Sequence, residues 1–243
     1  MTPAHTAAID IVRESVLRAE GVGRVFRTRA GDVTACHDIS LEVFAGELTV
    51  VRGASGAGKS TLLRMLGGLD TPTTGRVLVR GVPYAELSEQ QTVELRRDDL
   101  GFVFQDFGLI PVLTAAQNVG LPLRMKEADA AARDARVAEV LELVGLGEHS
   151  AQLPDELSGG QQQRVGIARA LAVQPSILIA DEPTAQLDVA NAAIVMDLLE
   201  RLARTEGIAV VVATHDVELA GRAHRVVELH DGRVTQRPGR HRA

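Results

Sequence analysis

A chain of 243 residues, 45% hydrophobic and 24% charged, can bury one sizeable core with a subdomain inserted in it, but it is too short for two full-sized domains. A formal charge of −6, 2% aromatic residues and the lack of a basic cluster outside the closing "RPGRHRA" argue against a polynucleotide as the main ligand. The single cysteine, Cys36, excludes an internal disulfide and fits a reducing cytoplasm, and no apolar run approaches the roughly 18 residues of a membrane span.

Residues 1–17 read as an N-terminal extension, without the charged start and apolar core of a secretory leader. Phe26 lies in a strand-like stretch, and "HDISLEV" alternates polar and apolar residues as a half-buried strand does. The apolar "ELTVV" reads as a buried strand, and "STLLRMLGGL" places Leu62, Leu63, Leu66 and Leu69 at helical spacing. Between them stand Gly53, Ala54, Ser55, Gly56, Ala57, Gly58, Lys59, Ser60 and Thr61. Such a glycine loop turns successive N–H groups inward at the positive end of a helix, which makes a nest for phosphate. Lys59 adds a compact charge for terminal phosphates and the Ser60 hydroxyl a magnesium ligand, so every fixed position of the P-loop pattern is filled. Lysine is scarce here, with only Lys59 and Lys126 against 24 arginines.

"GRVLVRG" alternates like "HDISLEV", consistent with an antiparallel sheet. From Gln105 to Val165 the pattern turns helical, and Val137, Val140, Leu141 and Val144 form one stripe that stops at Gly145. The segment after Gln105 is apolar at Phe107, Leu109, Ile110 and Leu113, and part of it should stay exposed as an apolar groove. "LSGGQQQR" then opens a helix whose start at Ser158, Gly159 and Gly160 is a second anion-binding end, either for a second anion or for another chain's nucleotide. "SILIADEP" is a buried strand ending in Asp181, placed to hold a metal, and Glu182, placed to face an attacking water as general base. "SILIA" and "IAVVVA" flank the helix "ANAAIVMDLLERLA", as in a parallel sheet, and "HDGR" closes a hairpin.

This ordered set resembles the ATP-binding-cassette (ABC) family, whose signature is the "LSGGQ" run, from about Leu17 to about Val234. The resemblance implies an α/β P-loop ATPase with a mostly parallel core sheet, an antiparallel β subdomain and an α-helical subdomain at 105–165, all within residues 18–237 and followed by a basic tail at 238–243. It implies ATP and Mg2+ as ligands. Gln105 is similar to the Q-loop glutamine that reaches magnesium and the attacking water, and His215 to the switch histidine at the terminal phosphate. Phe26 stands where an aromatic ring meets adenine, and Asp188 matches the D-loop. Ser158, Gly159, Gly160 and Gln161 would close on the nucleotide of a second subunit, in a head-to-tail pair read as a homodimer. Gln186 stands where the family usually carries asparagine or a small residue, which bears on the contact between subunits. Within the family, "LGGLDTPTTG" and "GFVFQDFGLIPVLTAAQNVGLPL" are similar to the lipoprotein-releasing, macrolide-exporting and cell-division branch, whose partners resemble FtsX-like permeases. The chain would then sit on the inner face of the plasma membrane through its permease, driving export or mechanical work. The alternative is a non-transport ATPase that regulates cell-wall hydrolases through a membrane partner.

Overall fold

The computed structural model describes residues 14–236, so the basic tail and the extension up to residue 13 lie outside the described residues. Strands β1 (Ser15–Thr28) and β2 (Gly31–Phe44) pair antiparallel. The sheet begins at Ser15, three residues before the boundary expected from sequence: Leu17 is fully buried, with Val43 and Val79 as strand partners. After β3 (Leu48–Arg52) and α1 (Lys59–Leu66), strands β4 (Thr74–Val79) and β5 (Val82–Pro83) complete a four-stranded antiparallel sheet in the order β2-β1-β4-β5.

The chain then forms α2 (Glu89–Asp98), β6 (Leu100–Val103), α3 (Ala115–Met125), α4 (Ala130–Leu143), α5 (Gly159–Leu171) and β7 (Ile177–Asp181). It ends with α6 (Val189–Glu206), β8 (Ala209–Thr214), the short α7 (Val217–Ala220), β9 (Arg225–His230) and β10 (Arg233–Gln236). The second sheet runs β10-β9-β3-β8-β7-β6, parallel except for β10, which folds back as a hairpin at Asp231 and Gly232.

Covering both faces of this sheet explains its near-continuous apolar strands. Successive side chains of a strand point to opposite faces. Val51, Ile177, Ile179 and Val211 therefore pack with α1 and the antiparallel sheet, while Val50, Leu178, Ala180, Val210 and Val212 pack with helices α3 to α6.

The helical layer does not stop at residue 165, because Ile167, Ala168 and Leu171 continue the buried stripe of α5. Helices α3 and α5 each start at a reciprocal capping box, Thr114 with Gln117 and Ser158 with Gln161. Fully buried Asn118 fastens the preceding loop: it accepts from the Ile110 N–H and donates to the carbonyls of Ile110, Leu113 and Thr114.

Candidate functional site

Four neighbouring strands bring the predicted site residues to one edge. The glycine loop leaves β3, His215 follows β8, Asp181 ends β7 with Glu182 next to it, and Gln105 lies beyond β6. Ligands of open α/β sheets bind outside the carboxyl ends of such strands.

The glycine loop is built as a nest. Gly56 and Gly58 hold φ of 80° and 98°, a region that L side chains rarely enter. A side chain on Gly58 would also run into the Ala35 carbonyl, and one on Gly53 into that of Leu229. Helix α1 starts at Lys59 with no side-chain cap on its first N–H groups, so the positive helix end opens into the loop.

Lys59 is 5% exposed, and its ammonium donates to the carbonyls of Gly53 at 2.8 Å and Ala54 at 3.0 Å. Its third contact is Glu182 Oε1, at 3.0 Å. The other oxygen of Glu182 lies 3.0 Å from His215 Nδ1. Glu182 has φ of 47°, and its N–H donates to the Ala213 carbonyl, which aims the carboxylate back across the sheet edge instead of along β7.

Ser60 Oγ donates to Asp181 Oδ1 at 3.0 Å, so a hydroxyl and a carboxylate converge beside the nest. Burial pushes the Asp181 carboxyl up, and the Ser60 hydrogen bond opposes that push. Two hard oxygen donors next to a phosphate cradle suit Mg2+, which keeps several waters and takes its remaining ligands from phosphates. Among the described residues no group of three His, Cys, Asp or Glu is placed to hold a metal ion. Gln105, the third expected metal contact, is exposed past the end of β6.

Phe26 is 37% exposed, with the Arg24 guanidinium 4.7 Å from its ring centroid. Arg24 in turn pairs with Asp70 at 2.7 Å, just beyond α1, so the ring is fastened to the helix that carries the nest. Arg24 thus covers one face of the ring.

The signature residues do not join this network. Ser158 and Gln161 cap α5, and no hydrogen bond or ion pair among the described residues links Ser158 to Gln161 with Lys59, Asp181, Glu182 or His215. Asp188 caps α6, accepting from the Asn191 N–H at 2.9 Å and its side-chain amide at 2.8 Å, and these bonds hold its carboxyl below the usual range. The Asn191 side chain also fills the space that a Cβ on Gly160 would need, so the turn of Asp188 and the signature helix touch.

The apolar segment after Gln105 is divided between core and surface. Leu109 packs on the core, while Ile110 and Val112 remain exposed. A groove of about 440 Å³ lies nearby between α2 and α3, lined by Leu69, Val93, Phe102, Leu121, Pro122 and Met125 with Arg96, Arg97 and Arg169. Sequence reasoning missed two further features. Arg169 donates to the carbonyls of Phe107 and Gly108, and Gln186 Nε2 donates to Asp106 Oδ1. Each joins segments more than 60 residues apart, as in the 61 between Arg169 and Gly108, so periodicity carries no signal for them.

A nucleotide nest on a parallel sheet, an acidic strand end and a serine-glycine helix start define an ATP-binding cassette, and the chain belongs to the ABC transporter family, whose model matches residues 36–185. It is an ATP-binding, ATP-hydrolysing subunit of that family. Among its relatives are the ABC transporter ATP-binding protein YtrE of Bacillus subtilis, 45% identical over 84% of this chain and 88% of that one, and the lipoprotein-releasing system ATP-binding protein LolD of Bordetella pertussis, 45% identical over 90% and 94%. The fold is similar to that of the cassette MJ0796 in a dimeric post-hydrolysis state bound to ADP and Pi, with a TM-score of 0.85, 39% identity and 93% of this chain and 99% of that one covered. CbiO1 of Clostridium perfringens, part of the complex CbiONQ, matches with a TM-score of 0.83 at 30% identity, over 93% and 89%.

Proposed function

We propose that the chain hydrolyses ATP as one half of a head-to-tail homodimer and transmits the closure to an FtsX-like permease on the inner face of the plasma membrane. The observation that carries the catalytic part is the sharing of Glu182 between Lys59 and His215. An incoming terminal phosphate takes the carboxylate's place on the Lys59 ammonium, which keeps its two carbonyl bonds. Glu182, released from Lys59, accepts a proton from the attacking water, while His215 fixes the direction of its second oxygen and reaches the terminal phosphate. The nest from Gly53 to Thr61 cradles the phosphates through its N–H groups, and Phe26 stacks on adenine. Ser60 and Asp181, with Gln105, would hold Mg2+, which supplies neutralisation of the charge that develops on the transferring phosphoryl oxygens.

The signature residues Ser158, Gly159, Gly160 and Gln161 contribute to the second subunit's nucleotide, and Asp188 lies at the same contact. Their separation from the nest within one chain and the dimeric state of MJ0796 support this. The name of LolD supports the lipoprotein-releasing branch, and the groove between α2 and α3 offers a permease helix its seat.

Glu182→Gln tests the base. Hydrolysis is expected to fall by about a hundredfold or more while ATP binding persists and a stable dimer accumulates; turnover at the normal rate would remove Glu182 from its role. A pull-down from solubilised membranes tests the partner: a four-helix permease should come with the wild type and be lost with Val93→Asp or Met125→Asp. Recovery of no integral protein by the wild type would contradict that assignment.

A further inference from the structure

Strands β6 and β7 are parallel neighbours, with Val103 opposite Ala180, so the loops leaving their ends start side by side. One loop carries Gln105 and then Asp106; the other carries Glu182 and, in the same turn, Gln186. That turn is tight: the Ala185 N–H donates to the Glu182 carbonyl at 3.2 Å, and the Leu187 N–H to the Thr184 carbonyl at 3.1 Å. The Gln105 loop bends sharply at Phe107 and Gly108, with φ of 54° and 63°, and the Arg169 guanidinium of α5 holds both carbonyls. Across the gap, Gln186 Nε2 donates to Asp106 Oδ1 at 3.0 Å. Each end of this hydrogen bond is thus anchored by its own backbone, and the bond spans the space between the two loops.

We infer that Gln186 is a positioning residue for hydrolysis, whose amide ties the Gln105 loop to the Glu182 turn and sets the spacing between those two side chains. The inference rests on the roles proposed above for Gln105 and Glu182. Neither Gln186 nor Asp106 touches the reacting atoms. The nest that binds the nucleotide belongs to β3 and α1, outside this brace. Losing the brace therefore changes the geometry of attack and leaves substrate binding in place.

Steady-state ATPase kinetics of the full chain test this. Gln186→Leu is expected to lower kcat about three- to tenfold, the size that one hydrogen bond commands, with KM unchanged to within about twofold. Gln186→Lys, which still donates to Asp106, should keep the wild-type kcat. Gln186→Glu should lose rate through carboxylate repulsion and regain it when combined with Asp106→Asn, which reverses donor and acceptor. A residue that merely fills the subunit contact would not be rescued by that reversal. Wild-type kcat in Gln186→Leu, or failure of both the lysine variant and the reversed pair, overturns the inference. Glu182→Gln measured alongside separates the two levels. If it is inactive while Gln186→Leu is normal, the base stands and the brace falls; if it is fully active, the base assignment itself is wrong.

Discussion

The Cys36 thiol points at the carbonyl oxygen of Gly58, 3.5 Å away, so the chain's only cysteine backs directly onto the phosphate nest. Burial pushes the thiol from 9.0 up to about 11. A raised value means that the folded state resists forming the thiolate, whereas the unfolded chain forms it from pH 9.0 upward. The stabilising difference is complete below pH 9 and is lost as pH rises towards 11. Denaturant midpoints of wild type and Cys36→Ala should therefore converge over that window, and a disulfide reagent at pH 8 should label the native chain far more slowly than the denatured one. Fast labelling of the folded protein would contradict the burial.

Lys59 and Glu182 are 5% and 12% exposed, so removing either partner leaves a charge with little water to receive it. Lys59→Met should cost about 3 kcal/mol of stability and abolish nucleotide binding. Combining it with Glu182→Gln should restore most of the stability and none of the binding. Thermal unfolding and a fluorescent-nucleotide titration read the two effects separately, and additive stability losses would show that the pair does not interact.

Phe26 presents one ring face while Arg24 covers the other. Base stacking is worth about 1–3 kcal/mol, so Phe26→Ala should raise KM for ATP by about tenfold at nearly constant kcat. Phe26→Trp should preserve it. Because the ring carries no hydrogen-bonding group, GTP should be turned over with a KM near that of ATP; strong preference for one base would place recognition elsewhere.

Ser158 and its glycines are expected to act on the neighbouring subunit's nucleotide. Ser158→Arg should leave nucleotide binding by the single chain intact, prevent the ATP-dependent dimer in gel filtration and lower hydrolysis by about a hundredfold. A monomeric variant that hydrolyses ATP at the normal rate would refute catalysis across the subunit contact.

The main sheet was legible because burial on both faces leaves continuous apolar runs such as "LTVV" and "SILIA", and the glycine loop because few backbones need so little side chain. Helix α2 was not legible: it buries no residue, and its signals are confined to its ends, the capping box of Ser88 with Gln91, Glu89 in the first turn and Arg96 and Arg97 in the last. The groove between α2 and α3 was hidden for the same reason, since Val93 of α2 forms one of its walls. Leu109 and Ile110 differ by one position, and what separates core from surface there is the grip of Asn118 on the loop backbone, a bond spanning eight residues to Ile110. The sharing of Glu182 by Lys59 and His215 follows from strand order: β8 lies between β3 and β7, although sequence places it after both.

The scarcity of lysine turns the molecule into its own chemical reporter. The Lys59 amine is enclosed and spent on two carbonyls and a carboxylate, whereas Lys126, at the end of α3, is 30% exposed and paired with Asp98 at 2.9 Å. A general acylating reagent should therefore mark Lys126 alone among the side-chain amines. An acyl phosphate built on a nucleotide, delivered through the nest, should mark Lys59, so two peptides in one mass spectrum would give site occupancy against an internal standard.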